Sequence, residues 1–212
     1  NSRARWDRVF ALTRRSGGCV AGLGRGNGLV LPASRAGSGF RDVAAGAGGH
    51  AGTMSPFAFV QEIRAWFDGP IWLSGCIATG QSVLAAEAMG ADAGYIGSAF
   101  IATEEANAAD TYKQGIVDGK MADIIYTNYF SGIHGNYHTG SIRAAGMDPD
   151  NLPEADPSKM DFGAANDSTA KTWKDIWGSG QGIGAVTKVQ PAGDYVAELA
   201  AAYREAKSAL LR

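Results

Sequence analysis

The sequence has few cysteines and no long apolar run, and both shortages limit what the protein can be. Its 212 residues include two cysteines, Cys19 and Cys76, which are too few for a disulfide framework. No apolar run reaches the roughly 18 residues needed to cross a bilayer, and the first residues lack the order of a secretion signal. The formal charge of −2 gives no overall attraction to nucleic acid. We therefore expect a cytoplasmic protein that binds neither membrane nor nucleic acid.

Residues 1–41 lack lysine and glutamate. They hold eight arginines and one acid, Asp7. The chain has 19 basic and 21 acidic residues in all, so residues 42–212 contain 11 basic and 20 acidic residues. Such a charge asymmetry is unusual in a small protein. A strand could form at Gly28–Leu31, before Pro32. We predict a basic, poorly ordered leader; the alternative is an arm for anionic partners, but the aromatic residues of a nucleic-acid surface are missing.

From residue 42 onward, short apolar runs alternate with helical patterns. The runs at Asp42–Gly46, Ile71–Ser74 and Ala93–Ile96 read as strands. A helix is predicted to begin near Ser55 and Pro56, and another over Gly80–Met89, with Thr79 as N-cap and Gly90 as C-cap. This order predicts βαβ units, hence an α/β fold with a parallel sheet.

Each predicted strand ends in a glycine-bearing turn, and the first turn carries a histidine. In GAGGHAG, Gly48 and Gly49 would let a flat ligand approach the backbone, and His50 could exchange a proton near neutral pH. A glycine turn with a structural histidine is the alternative. The turns at Gly75 and Gly97 suit a phosphate cradle at the carboxyl ends of the last two strands of a (β/α)₈ barrel.

The remaining patterns are helical or loop-like. Helices are expected over Glu104–Val117 and Asp194–Leu211, a β-branched and aromatic run spans Ile124–Tyr129, and Met147–Phe162 reads as a surface loop. The last helix should pack against the outside of the sheet, through Tyr195, Leu199, Ala202, Tyr203, Ala206 and Leu210.

Two further segments contain residues that could bind a ligand. His134 and His138 have a spacing that would suit a metal on a helix, but the neighbouring glycines oppose a helix and no ligand set completes the site, so no metal is expected. The glycine-rich bend within Trp173–Gly184 could be a cap or could close over a ligand.

Several of these segments, taken in series, identify the chain as similar to a known family. AGAGGHAG, SPFAFV, FDGPIWLSGCIATG, MGADAGYIGSAFIAT, EANAADTYKQ, TNYFSGIHGNY and WGSGQGIG resemble the C-terminal part of the nitronate monooxygenases, formerly called 2-nitropropane dioxygenases. The resemblance covers about residues 43 to 205. It implies a flavin-binding TIM barrel with an added segment, here at about 120–185, that uses FMN without a metal.

The resemblance also implies roles for particular residues. His50 matches the histidine that removes the α-proton of a nitroalkane or stands beside the bound nitronate. The cofactor-binding positions would be Gly48, Gly49, Gly75, Cys76, Gly97, Ser98, Gln181 and Gly182. Cys76 departs from the family, which usually has a second glycine there, and Ser98 replaces a usual threonine. The implied substrates are a nitronate or nitroalkane and O₂, and a homo-oligomer is left open.

A full barrel needs eight strands, whereas three are evident here, which would be the last three. Residues 42–212 are therefore expected to form a partial barrel. Two other functions stay open: an FMN-dependent enoyl-thioester or NADH:quinone reductase, and a truncated barrel without activity.

Overall fold

A computed structural model describes residues 29–32, 40–155 and 175–212 of the chain. The strands are β1 (Leu29–Pro32), β2 (Phe40–Val43), β3 (Gly49–His50), β4 (Ile71–Ser74), β5 (Ala93–Tyr95), β6 (Ile124–Thr127) and β7 (Gly135–His138). The helices are α1 (Pro56–Arg64), α2 (Gly80–Met89), α3 (Ser98–Ile101), α4 (Asp110–Asp118), α5 (Thr139–Ala144) and α6 (Ala192–Ala209). Single 3₁₀ turns span Met121–Asp123, Pro149–Asn151 and Gln181–Ala185.

The predicted parallel sheet is present and consists of β2, β4 and β5. β2 pairs with β4, and β4 with β5, both in parallel, while α1 and α2 form the two crossovers. β4 has the predicted bounds, and β5 ends one residue before the predicted Ile96. The first strand lies at 40–43 rather than 42–46, because the chain turns after Ala44 into a left-handed Gly46 with φ +80°.

A strand of the arginine-rich leader extends this sheet. β1 pairs antiparallel with β2, so the sheet order is β1-β2-β4-β5. Residues 29–32 form a strand that includes Pro32, one residue beyond the possible strand at Gly28–Leu31; an edge strand tolerates proline because one side of it needs no ladder donor. The poor order expected of residues 1–41 stays a prediction. Residues 1–28 and 33–39 lie outside the described part. Over the residues that are described, the sheet is open and does not close into a barrel.

A second, antiparallel sheet has the order β3-β7-β6. β7 is its central strand, and all four of its residues are buried. The sequence 134–138 is therefore not a helix, as its glycines indicated, and the run predicted from Ile124 is a strand that ends at Thr127. This sheet had not been foreseen. His50 belongs to it, through the pairing of β3 with β7, and not to the loop that was expected at the end of the parallel strand.

The caps of α2 agree with the sequence. The Thr79 hydroxyl accepts from the Ser82 N–H at 3.2 Å, and Gly90 ends the helix with φ +107°, a conformation that favours glycine. α1 has Pro56 in its first turn as expected, but the side chain of Ser55 makes no capping hydrogen bond.

Arg64, at the end of α1, ties together the loops that precede β4 and β5. Its guanidinium donates to the carbonyl oxygens of Gly90 at 2.8 Å, Phe67 at 3.1 Å and Gly69 at 2.6 Å, and it also pairs with Asp92. The Asp92 carboxylate in turn accepts from the first amide of β4. One side chain thus fixes the end of the sheet opposite the glycine turns.

α6 packs against α2, and the expectation that it would pack on the sheet was wrong. The crossing is close because a Cβ on Gly80 would lie 2.1 Å from the Tyr203 nitrogen and 2.5 Å from the Leu199 oxygen. Tyr195 and Leu199 are buried on this face, whereas Leu210 is 77% exposed, because the helix ends beyond α2.

The helix predicted from Glu104 begins later, at Asp110. The preceding residues instead bridge to the C-terminal segment, where the Glu104 N–H donates to the Gln190 oxygen at 3.1 Å. Among the described residues, the helices are all too short or too polar to cross a membrane.

Candidate functional site

The turn between β2 and β3 is shaped by backbone contacts that leave no room for side chains. A Cβ on Gly48 would lie 2.7 Å from the Gly180 nitrogen and 2.8 Å from the Ser98 hydroxyl oxygen. The buried side chain of Asn136 supports the turn from below by donating to the Ala47 oxygen at 2.7 Å. Glycine at position 48 is therefore required by packing in this chain, whatever else it does.

The glycine-rich bend lies over this turn and is hydrogen-bonded to it. The backbone amides of Ser179, Gly180 and Gln181 donate in succession to three different elements. The acceptors are the Asn136 oxygen at 3.2 Å, the Ser98 hydroxyl at 2.8 Å and the Gly46 oxygen at 2.9 Å. We call residues 178–182 the clasp loop. It joins β7, the turn after β5 and the turn after β2.

The turn after β4 has a left-handed backbone at both of its central residues, Gly75 with φ +136° and Cys76 with φ +56°. The Cys76 side chain is exposed as a residue but turns onto Gly46, where a Cβ would lie 2.2 Å from the sulfur. It also approaches the Gln181 side-chain oxygen, at 3.9 Å. The Cys76 side chain thus packs against the turn that contains Gly46.

The turn after β5 is open. A Cβ on Gly97 would meet no atom within 4 Å among the described residues. The adjacent Ser98 is half-buried and faces the clasp loop. This turn therefore has both room for a ligand and a hydroxyl group beside that room.

The structure brings the eight positions predicted to bind the cofactor into one region. Gly182 completes it, since a Cβ there would lie 3.0 Å from the Cys76 carbonyl carbon. The residues come from three consecutive strand ends and from a loop about 100 positions downstream, as expected for a site at the carboxyl edge of a parallel sheet.

His50 contacts a residue that the sequence reasoning did not single out. Its Nε2 lies 2.8 Å from the hydroxyl oxygen of Ser131, 81 positions away. Ser131 donates to the Ile133 oxygen at 3.0 Å. Because a hydroxyl has one proton, this network favours the His50 tautomer with the proton on Nε2, which leaves Nδ1 as the basic nitrogen. Ser131 lies within the TNYFSGIHGNY segment, and that segment was the only signal that could have found it.

Burial lowers the pKa of His50 below its ordinary value. The imidazole is therefore neutral near pH 7 and has a nitrogen that can accept a proton. A neutral imidazole can act as a general base toward a molecule that reaches its unprotonated nitrogen; in His50 that nitrogen, Nδ1, is buried.

The two histidines that follow have other surroundings. His134 is exposed and stacks on Tyr126 at 5.0 Å between ring centroids. His138 is buried, and its Nδ1 accepts from the Gly140 N–H at 3.0 Å. In the described ranges, no group of three or more His, Cys, Asp or Glu side chains is arranged to hold a metal ion.

Comparison with known proteins agrees with the resemblance seen in the sequence. The family model described as nitronate monooxygenase matches residues 43–202. A protein named nitronate monooxygenase from Paraburkholderia phytofirmans is 29% identical over 172 residues, which are 72% of this chain and 45% of that protein. A probable nitronate monooxygenase from Staphylococcus haemolyticus is 35% identical over 81 residues, 38% of this chain and 22% of that protein.

Solved structures show a related fold. Nitroalkane oxidase from Streptomyces ansochromogenes superposes with a TM-score of 0.62 at 28% identity and covers 81% of this chain. FabK from Thermotoga maritima gives 0.63 at 20% identity, a likeness of fold alone. Both are TIM-barrel enzymes. This chain spans 53% and 56% of those two chains, and less than half of the two named relatives.

Proposed function

Because the chain belongs to the nitronate monooxygenase family, we propose that it oxidises alkyl nitronates to a carbonyl compound and nitrite, with FMN as cofactor and O₂ as oxidant. In the balanced reaction, two nitronate anions and one O₂ give two carbonyl molecules and two nitrite ions. The observation that carries the proposal is the place of His50, a half-buried neutral histidine on a strand that begins at the glycine turn under the clasp loop.

The residues at the strand ends fit a flavin phosphate. Gly97 offers open space at the end of β5, and the Ser98 hydroxyl beside it has a donor to offer an anion. With Gly75 and Cys76, these residues would hold the phosphate end, and Gly48 and Gly49 would lie nearer the ring system, with Gln181 and Gly182 of the clasp loop closing that side. When bound, FMN would supply the electron-transfer chemistry that the amino acids themselves cannot provide.

His50 would serve two kinds of substrate differently. A neutral nitroalkane must lose its α-proton before it can be oxidised, and the basic nitrogen of His50 would take that proton. A nitronate has already lost it, so His50 would only orient the anion. Ser131, bonded to Nε2, would keep the ring in the tautomer and orientation that this role needs.

The test uses the full chain, purified and equilibrated with FMN. We expect a flavin absorbance spectrum at about one FMN per chain, together with oxygen uptake and nitrite release on addition of propyl-nitronate. NADH oxidation in the presence of quinone, without a response to nitronate, would instead support the reductase alternative. A chain that binds no flavin and consumes no oxygen would support the inactive-fragment alternative.

A second experiment tests the role of His50. His50→Ala should lose turnover of neutral nitroethane while keeping FMN and much of the turnover of ethyl-nitronate. Full turnover of the neutral substrate by a flavin-loaded His50→Ala variant would contradict the assignment of His50 as the base.

A further inference from the structure

The hydroxyl of Ser98 lies where the turn after β5, the glycine turn and the clasp loop meet. It accepts the Gly180 N–H at 2.8 Å, and it would be 2.8 Å from a Cβ on Gly48. A serine hydroxyl can accept and donate at the same time. Since its oxygen accepts from Gly180, its proton is available for a second acceptor. The adjacent residue, Gly97, has space for one, because a Cβ there would meet no described atom within 4 Å.

Donation to an anion would strengthen the existing contact. A hydroxyl that donates to a charged oxygen becomes more negative at its own oxygen and a better acceptor for the next donor in the chain of hydrogen bonds. An anion at the turn after β5 would therefore hold Gly180 more firmly. The two neighbouring amides of the clasp loop would be held with it, because they are fixed to the same short backbone segment.

Those two amides are hydrogen-bonded to two segments next to the strand that carries His50. One donates to the Asn136 oxygen, on the strand paired with β3, and the other to the Gly46 oxygen, at the start of the turn that leads into β3. Firmer attachment of the clasp loop thus restricts both the paired strand and the turn that precedes the short strand Gly49–His50.

We propose that Ser98 is a positioning residue. It couples the binding of a phosphate group at the turn after β5 to the attachment of the clasp loop, and through that loop to the orientation of His50. The ligand class is the phosphate group of a flavin mononucleotide, so this inference rests on the proposed cofactor. Its consequence is that the phosphate does more than anchor the cofactor: it also fixes the backbone around the general base.

The test measures amide hydrogen exchange of Gly180 by NMR in the flavin-free chain and in the chain saturated with FMN. We expect FMN to slow this exchange by up to about twofold. Riboflavin, which lacks the phosphate, should leave Gly180 near its flavin-free rate. Equal slowing by riboflavin and FMN would overturn the proposal, because the phosphate would then play no part.

Three variants separate the hydroxyl from a general effect on folding. Ser98→Ala should raise the flavin-free exchange of Gly180 about fivefold, the factor expected for one lost hydrogen bond, and should abolish the added slowing by FMN. Ser98→Thr keeps the hydroxyl, so its Gly180 exchange should match the wild type both without flavin and with FMN. Ser179→Ala is the matched control, because the Ser179 hydroxyl is buried and meets no partner among the described residues. In this variant the flavin-free exchange of Gly180 and its slowing by FMN should both equal those of the wild type.

The outcomes distinguish this inference from the proposed function. If the absorbance spectrum shows bound FMN but Gly180 exchanges equally in the wild type and in Ser98→Ala, the coupling is wrong and the cofactor assignment stands. If no variant and no wild-type sample binds FMN, the cofactor assignment fails, and the coupling fails with it.

Discussion

Two glycine-to-alanine substitutions at the strand ends should have opposite consequences, although each adds the same methyl group. In Gly48→Ala the methyl would lie 2.7 Å from the Gly180 nitrogen and 2.9 Å from the Ser179 carbonyl carbon, both backbone atoms that can move only with the clasp loop. In Gly97→Ala it would meet nothing within 4 Å in the described part of the chain.

The distances set the expected magnitudes. Overpacking against backbone costs about 1–3 kcal/mol, so Gly48→Ala should lower the Tm by about 2–4 °C for each kcal/mol. Gly97 has φ −115° and ψ −64°, which is not a left-handed conformation, so alanine fits there without strain. We expect the free energy of unfolding of Gly97→Ala to stay within about 0.5 kcal/mol of the wild type.

Gly97→Ala, which should leave stability almost unchanged, should weaken FMN binding. The methyl of Gly97→Ala would occupy the space that we assign to the cofactor phosphate, and a tenfold or larger rise in the Kd for FMN is expected, about 1.4 kcal/mol. The assays are urea unfolding of the flavin-free chain and titration with FMN followed by flavin absorbance. Wild-type FMN affinity in a stable Gly97→Ala variant would refute the placement of the phosphate. Wild-type stability in Gly48→Ala would refute the packing of the clasp loop.

Three further predictions concern stability. Gly80→Ala should destabilise the chain by about 3 kcal/mol or more, because its methyl would overlap the backbone of α6; Gly193→Ala, whose methyl would meet no atom of the described residues within 4 Å, is the control, and equal urea midpoints would contradict the close crossing. Arg64→Met should cost about 2–4 kcal/mol through the loss of its loop contacts, and a change below about 0.5 kcal/mol in urea unfolding would contradict that role. Burial lowers the pKa of His50 and of His138 in the folded state, so the unfolded chain binds more protons below about pH 6.5. The stability that these two histidines contribute should be complete at neutral pH and decrease as the pH falls below about 6.5; an increase in the free energy of unfolding as the pH falls through that range would contradict the sign.

The local elements followed from the sequence where local chemistry decides them. Thr79 and Gly90 bound α2 because a hydroxyl cap and a left-handed glycine act within one turn of the helix. The strand Ile71–Ser74 was predicted with its observed bounds, since a short apolar run between Pro70 and Gly75 has few other conformations in a βαβ unit. The meeting of the glycine turns followed from one topological rule, that parallel strands end at the same edge.

The contacts between distant segments did not follow. His50 lies on a strand because β7, some 85 positions later, pairs with it, and two residues alone have no strand pattern to read. The partner of its Nε2, Ser131, is likewise set by that pairing. A strand near 29–32 was a possibility from the sequence, but its antiparallel pairing with β2 depends on an edge that exists only once the sheet has formed.

The sequence by itself thus determined the family, the parallel βαβ order and the identity of the residues that end each strand, because these depend on residue type and on spacing along the chain. The tertiary structure decided what each of those residues contacts. Gly48 is a packing requirement, Gly97 is open space, and Ser98 holds the clasp loop. The physical reason is that a glycine in the sequence shows only that a side chain is absent. Whether backbone, ligand or solvent occupies the space depends on segments that lie about 50 to 130 positions away in the chain.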